Sequence, residues 1–265
     1  MYDVPDSFRS RTAGRAATPL DDRGGLMSRK QTCRGRPDVR AAAPGVLCAA
    51  TALYLLRVRP RLLTWGATGE ETGRSYPGDE LVPEADGSSV MATTLPAPPE
   101  EVWPWLVQMG YDRAGWYSWD RLDRYGRPSA DRIVPEWQTL TVGQRLPATR
   151  DGRSWFTVAR LEPNRTLVLS SDVDLAAGRS FVRGRDPVPR VRMAGVWGFH
   201  LRPAPHGGTR LVVRTRGRGR PRPLTRPVDV LLGEPAHAIM QIRQFHNLRR
   251  RVGTGALQEP ADAGS

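Results

Sequence analysis

The chain has 265 residues and a formal net charge of +13, from 40 basic and 27 acidic side chains. Because 39% of its residues are hydrophobic, it can bury a core, which excludes a wholly disordered protein. No apolar run is long enough for a multi-pass membrane protein, and two cysteines are too few for a disulfide scaffold. The basic excess points first to nucleic acid or an anionic membrane as a partner.

The charge is unevenly distributed along the chain. Residues 1–64 carry 12 basic and 5 acidic side chains. Residues 65–135 carry 6 basic and 12 acidic side chains, and residues 136–265 carry 22 basic and 10 acidic ones. An acidic middle is unusual for a protein that binds phosphate along its whole surface. All eight tryptophans lie in the second and third parts. We therefore expect the folded domain to begin near Trp65, after a disordered basic tail over residues 1–40.

An uncharged apolar segment follows this tail, over residues 41–56. As a helix it would measure about 24 Å, which is shorter than the roughly 30 Å hydrocarbon core, although flanking arginines can extend its reach. We therefore predict an apolar helix over residues 41–61 with two alternatives. It is either a single membrane anchor, whose orientation the flanking charges do not determine, or an amphipathic or buried helix. The protein is accordingly expected to be cytoplasmic or membrane-anchored.

The predicted elements after this helix run strand, helix, antiparallel strands and long helix. Val90–Leu95 predicts the opening strand. Pro99, with Glu100 and Glu101 in the first turn, predicts a helix that stops near Gly110. This order is typical of an α+β domain with helices on one side of a sheet. Later strands are predicted over residues 156–161, 166–171, 196–202 and 210–215, and the last helix over residues 234–251.

Six motifs of the predicted domain form a specific combination. They are WGAT with EE (65–71), PGDELVP (77–83), PPEEVWPWLVQMG (98–110), GWYSWDRL (115–122), ADRIVPEWQTLTVGQRL (130–146) and WGFHLRP…GGTRLVVRTR (197–216). Together they resemble the polyketide cyclase/dehydrase and START-like (SRPBCC) superfamily, in a subgroup common in actinobacteria.

The resemblance covers residues 62–252 and leaves residues 253–265 as a disordered C-terminal tail. It implies a helix-grip fold, in which a curved antiparallel sheet wraps around the long C-terminal helix. It also implies an elongated apolar cavity between the sheet and that helix. Because members of the subgroup have no agreed reaction, the resemblance supplies a fold and a ligand class but no mechanism.

The cluster Trp116-Tyr117-Ser118-Trp119-Asp120 is the richest in candidate binding groups. Small-molecule sites are apolar pockets with a few polar groups. Tyr117 and Ser118 are therefore candidates to orient a ligand carbonyl, and Asp120 is a weak candidate for a catalytic base, provided that burial raises its pKa. In the alternative, the aromatic side chains are core and Asp120 caps the next short helix. The other predicted ligand-binding residues are Trp137, Trp155, Trp197, Phe199 and Ile242.

The sequence lacks the usual catalytic and metal-binding signatures, including GxSxG, the P-loop, HExxH and CxxC. His237 and His246 fall on opposite faces of the predicted helix. His206 lies in a turn, and His200 is predicted to project from the solvent face of the sheet. We therefore expect neither a metal site nor a cofactor.

These features predict a domain that binds or carries a hydrophobic small molecule or lipid, with membrane contact through residues 41–61 as a further candidate. The residues favour a binding protein over an enzyme. The enzyme alternative is a polyketide aromatase/cyclase or dehydratase type of reaction, which needs a buried titratable group inside the cavity. The oligomeric state is left open.

A third alternative is binding in the DNA minor groove. Arg34–Pro37 and Arg218–Pro221 both match the RGRP core of AT-hooks, which lies extended in that groove. Chance matches are common in a chain so rich in Arg, Gly and Pro, and the second copy is predicted to lie in the linker before the last helix. Nucleic acid is therefore the disfavoured partner.

Overall fold

The structure is a computed structural model that describes residues 39–255, with side chains described for residues 45–253. Most of the tail predicted over residues 1–40 lies outside these residues, as does most of the tail predicted over residues 253–265. The first RGRP copy, Arg34–Pro37, also lies outside them.

A helical segment opens the described chain. Helix α1 spans Val39–Leu53, a π-helical turn continues it over Tyr54–Val58, and helix α2 spans Arg59–Leu63. Among the described helices, none combines the length and the apolar composition needed to cross a membrane. Whether this segment contacts a membrane stays a prediction.

A seven-stranded antiparallel sheet forms the body of the domain. Its strands are β1 Gly87–Leu95, β2 Arg145–Pro147, β3 Trp155–Glu162, β4 Thr166–Asp174, β5 Arg179–Ser180, β6 Arg192–Pro203 and β7 Thr209–Arg220. Their order across the sheet is β1-β7-β6-β4-β3-β2, and β5 pairs with β4 off this path.

The remaining helices are short, except the last one. They are α3 Gly69–Gly73, α4 Pro99–Val107, α5 Asp120–Asp123, α6 Arg222–Val228 and α7 Glu234–Gly255, with 3-10 turns at Asp79–Leu81, Pro135–Trp137 and Pro205–Gly207 and a π-helical turn at Asp229–Gly233. The curved sheet packs against the long helix α7, so the predicted α+β, helix-grip fold is confirmed.

One face of the sheet, here called the inner face, packs against α7. Side chains alternate along a strand, and Phe199 and Leu201 of β6 lie in the same buried cluster as Phe245 and Leu248 of α7. The sequence placed Trp197, Phe199 and Leu201 together, and the partly buried Trp197 does pack against this cluster. The core of the domain therefore lies between the inner face and α7.

The opposite, outer face is also covered, which corrects one expectation. His200 was predicted to project into solvent, but it is only 4% exposed, and its ring packs against Tyr76 at a tilt of 37°, with the centroids 4.9 Å apart. Tyr76 belongs to residues 71–86, here called the covering segment, which precede β1, and it packs with Val90 and Val212 of the sheet. The prediction was wrong because this covering segment has no regular hydrophobic period that would reveal its packing.

Carboxylates of the same covering segment pair with the arginines of β7 that point outward. The second RGRP copy is part of this arrangement, because Arg218–Arg220 lies within β7 and not in a linker. The pairs are Arg210–Glu71 at 2.7 Å, Arg214–Asp79 at 2.8 Å, Arg218–Glu84 at 2.7 Å and Arg220–Asp86 at 2.8 Å.

Candidate functional site

A cavity of about 350 Å³ lies between the inner face and α7. Its volume falls at the lower end of the range of about 300–1,000 Å³ that is usual for ligand pockets. Strands β3, β4, β6 and β7 supply one wall, and α7 supplies the other. The loop before α5, together with α5 itself, contributes Trp116, Ser118 and Asp123. The cavity therefore occupies the place that the helix-grip fold predicts for a ligand.

Three aromatic rings form the apolar wall of this cavity. The ring centroids of Trp116 and Phe156 are 5.4 Å apart, and each lies 5.6 Å from the centroid of Trp197. Tilted and edge-to-face contacts at these distances stabilise aromatic clusters. The three rings, here called the aromatic wall, therefore support one another without a ligand.

The loop that carries Trp116 is held in place by backbone pairing and by a glycine. Gly110 and Gly115 exchange two backbone hydrogen bonds, of 3.2 and 2.9 Å. Gly115 has a φ of +85°, and a Cβ atom there would lie 2.4 Å from the Ser129 hydroxyl oxygen. A larger residue would clash at this point, so the loop needs glycine to bring Trp116 to the cavity.

A chain of buried hydrogen bonds joins this loop to α7 and β6. Trp197 Nε1 donates to Gln241 Oε1 at 3.1 Å, and Gln241 Nε2 donates to Gln244 Oε1 at 2.7 Å. Gln244 Nε2 in turn donates to the Trp116 carbonyl at 2.8 Å. These amides are therefore engaged in positioning the aromatic wall. A signal was present in the sequence, since two glutamines three residues apart interrupt the apolar stripe of the last helix.

Asp123 is a cavity residue that the sequence did not single out. Both of its carboxylate oxygens are buried and have no hydrogen-bond partner among the described residues. Burial, assisted by the nearby charge of Asp120, raises the pKa of Asp123 to about 6. Asp123 thus places an unpaired, titratable carboxyl group in a largely apolar cavity.

His237 of α7 also lines the cavity, in a position to which the sequence assigned no role. Its Nε2 atom is buried without a hydrogen-bond partner among the described residues, and its ring lies edge-on to Trp197 at 6.1 Å. Burial lowers the pKa of His237 to about 4. The imidazole is therefore neutral at pH 7.

The structure brings three of the predicted binding residues to this cavity, namely Trp116, Ser118 and Trp197. Ser118 donates its hydroxyl hydrogen to the Met240 carbonyl at 3.2 Å. Phe199 is fully buried in the core beside Trp197, and Ile242 packs partly buried against the same core.

The other predicted binding residues lie around the cavity and do not line it. Tyr117 is fully buried, and its hydroxyl oxygen accepts a hydrogen bond from Gln108 Nε2 at 2.8 Å. Burial raises the pKa of Tyr117 above its ordinary value. Trp137 packs partly buried against the core. Trp119 lies under the guanidinium of Arg243, and Trp155 lies under that of Arg145.

Asp120 makes a different set of contacts from its neighbour Asp123. The Ser129 hydroxyl donates to Asp120 Oδ1 at 2.5 Å, and the Ser129 backbone N–H donates to Oδ2 at 3.1 Å. Its carboxylate therefore fixes the loop that follows α5, and it does not line the cavity. A catalytic role for Asp120 stays a prediction.

No three His, Cys, Asp or Glu side chains within the described part of the chain are grouped so that they could hold a metal ion.

Comparison with known proteins gives structural neighbours only. No family model matches, and no curated protein does. A Mesorhizobium loti protein, MLL2253, is 20% identical over 63% of this chain and 98% of its own, with a TM-score of 0.35. DynU16, a protein of the dynemicin biosynthetic locus, is 20% identical over 64% of this chain and 48% of its own, with a TM-score of 0.36. CalU16 of Micromonospora echinospora is 15% identical over 64% of this chain and 86% of its own, with a TM-score of 0.28.

Proposed function

We propose that this domain binds a hydrophobic small molecule in the cavity between the inner face and α7. The observation that carries the proposal is the aromatic wall of Trp116, Phe156 and Trp197, which faces a space of about 350 Å³. A volume at the lower end of the usual range for ligand pockets favours a compact ligand.

Burial of the ligand's apolar surface supplies most of the expected affinity. A ligand that buries roughly 250 Å² of apolar surface gains about 6 kcal/mol at 25 cal/mol per Å², before the cost of association is subtracted. Since the three rings of the wall pack against one another, little side-chain ordering adds to that cost. A net gain of 6 kcal/mol corresponds to a Kd of about 40 μM, so we expect dissociation constants of tens of micromolar or weaker for a well-fitting compound.

Filling the cavity tests this proposal. Ala148 lines the cavity, and Ala148→Phe places a ring in the ligand's space. We expect this variant to bind the neutral probe N-phenyl-1-naphthylamine at least tenfold more weakly in a fluorescence titration. Native mass spectrometry of protein purified from its own host should likewise show a small apolar ligand on the wild type and less of it on the variant.

The matched control is Ala176→Phe, the same change at an exposed turn residue. This variant should bind the probe as the wild type does. The proposal is contradicted when Ala148→Phe and wild type bind the probe equally well, or when both phenylalanine variants lose binding to the same extent.

A cyclase- or dehydratase-type reaction is the second candidate, and Asp123 is the observation that favours it. The enzyme alternative requires a buried titratable group in the cavity, and Asp123 and the neutral His237 are two such groups. A carboxyl group with a pKa near 6 can accept or donate a proton near neutral pH. If turnover of a polyketide-like substrate exists, Asp123→Asn should abolish it and Asp120→Asn should not.

We also propose that the helical segment before the domain touches a membrane surface. Tyr54 Oη donates to the Val230 carbonyl at 2.6 Å, which joins this segment to the turn over Asp229–Gly233, and Leu53 and Leu56 of the segment and Leu231 of the turn are all exposed. Apolar side chains beside a basic group such as Arg57 are typical of surfaces that lie on anionic lipid. The proposed contact is therefore peripheral.

Vesicle flotation tests this contact with a matched pair of leucines. Leu56 is 74% exposed and Leu122 is 73% exposed, but Leu122 belongs to α5. With vesicles that contain phosphatidylserine, Leu56→Ser should float several-fold less protein than the wild type, and Leu122→Ser should float as much. Equal flotation of the two variants, or none by the wild type, would contradict the proposal.

A further inference from the structure

The described lining of the cavity contains no basic side chain, although the chain as a whole is strongly basic. The chain has 40 basic side chains, yet no Arg or Lys belongs to the described residues that line the cavity. Asp123 and His237 are the two ionisable side chains of that lining. Because His237 is neutral at pH 7, Asp123 is the one lining residue that carries a formal charge there.

Four of the hydrogen-bond donors of the lining are already engaged within the described residues. The Trp197 indole N–H and the Gln241 amide donate to side chains of α7. The Gln244 amide and the Ser118 hydroxyl donate to backbone carbonyls. A ligand that carries an anion would meet the Asp123 carboxylate and no Arg or Lys side chain among the described lining residues, which is unfavourable in a low-dielectric site.

The unpaired carboxylate is costly in the absence of a partner. A buried charged group without a hydrogen bond destabilises the fold. Its neighbour Asp120, three residues earlier, has both oxygens satisfied by Ser129, so the local chain is able to pair a carboxylate. A ligand with a cationic donor would remove the cost at Asp123, and the ring faces of Trp116 and Trp197 would attract the same cation.

We propose that the cavity selects an organic cation, a compact aromatic or alicyclic amine whose ammonium group donates to the Asp123 carboxylate. The apolar body of the amine lies against the aromatic wall. This inference rests on the proposed function, since it names the ligand class for the same cavity. It adds a charge requirement that an apolar cavity by itself does not impose.

Binding of the amine depends on the ionisation of Asp123, so it weakens as the pH falls below about 6. The groups that act on this carboxyl are Asp120 and Arg124 from its own stretch of chain, and the neutral His237 lines the cavity from α7. Asp120 raises the pKa of Asp123, and Arg124 lowers it.

Three ligands of the same shape test the inference by calorimetry at pH 7.5. The amine 1-naphthylmethylamine should bind at least tenfold more tightly than the neutral 1-naphthalenemethanol, and 1-naphthoic acid should bind more weakly than both. Asp123→Asn should abolish the preference for the amine while the alcohol binds as before. Lowering the pH to 5 should reduce the preference in the wild type in the same direction.

The matched control is Asp131→Asn, which removes an exposed carboxylate that does not line the cavity and should keep the tenfold preference. A thermal unfolding curve establishes that each variant is folded. If the amine and the alcohol bind equally, or if Asp123→Asn keeps the preference, the cation inference is wrong while the proposed function stands. If no naphthyl ligand binds the wild type, the proposed function fails as well.

Discussion

The two faces of the sheet differ in whether the charged side chains beside them are paired. On the inner face, aromatic and aliphatic side chains meet α7, and the one charged residue of the adjoining cavity, Asp123 of α5, has no hydrogen-bond partner among the described residues. On the outer face, arginines of β7 each meet an acidic residue of the covering segment before β1. The arginine charges of the outer face are neutralised by carboxylates of the same chain. The cavity beside the inner face instead contains the unpaired Asp123 carboxylate, which a ligand can contact.

This comparison accounts for the uneven charge of the chain. The acidic middle part supplies Glu71, Asp79 and Asp86, and the basic last part supplies the arginines of β7. Ion pairs between the two parts consume charge that would otherwise be available to phosphate. Arg218 and Arg220, the arginines of the second RGRP copy, are therefore engaged in pairs with carboxylates and do not form a free extended arm.

The largest expected effect comes from breaking the most buried outer pair. The side chains of Arg214 and Asp79 are 11% and 15% exposed. Arg214→Ala removes the guanidinium that contacts Asp79 at 2.8 Å and leaves only the more distant Arg216, at 3.8 Å, so we expect a loss of about 2 kcal/mol in the free energy of unfolding. Urea denaturation with an unchanged m-value measures it.

Arg218→Ala is the matched control for this change. It removes an arginine of the same strand whose partner Glu84 is 73% exposed. Since exposed ion pairs contribute little, we expect a loss of about 0.5 kcal/mol or less. Equal losses in the two variants would show that burial of the pairs does not distinguish them, and the contrast between the two faces would then fail.

A smaller effect, which sharpens the comparison, comes from His200 on the outer face. Burial lowers the pKa of His200 to about 4, from an ordinary value of 6.5. As the pH falls below 6.5, His200 binds a proton in the unfolded chain, whereas in the folded chain it stays neutral until about pH 4. The stabilising effect of a neutral His200 is therefore complete above pH 6.5 and is lost as the pH falls towards 4.

His200→Phe keeps a ring against Tyr76 and removes this titration. Between pH 7 and pH 4.5 we expect the variant to lose about 2 kcal/mol less stability than the wild type. Urea unfolding at the two pH values measures the difference. Asp123 on the inner face has the opposite sign, because its raised pKa makes the folded state bind a proton first as the pH falls. An unchanged pH profile in His200→Phe would contradict the buried, neutral state of this histidine.

Local patterns in the chain were enough to predict most of the elements and the side of the sheet that forms the core. Pro99 and the two glutamates after it mark the start of α4, because helix N-termini favour these residues. Alternation along β6 places Phe199 and Leu201 together, because successive side chains of a strand point to opposite faces. These features depend only on neighbours within a few residues.

Two features became visible only in the folded molecule. One is the burial of His200, and the other is which of the carboxylates of Asp120 and Asp123 lines the cavity. His200 is buried by Tyr76, which lies far away in the chain. Asp120 and Asp123 belong to the same short helix, and the position of Ser129 decides which carboxylate is satisfied and which is left to the cavity. Such contacts depend on how distant segments pack, and no local period in the chain encodes that packing. The amino-acid pattern therefore predicted the α+β order of elements and pointed to two rings of the aromatic wall, Trp116 and Trp197, while Phe156 and the unpaired charge of Asp123 were brought to the cavity only by long-range packing.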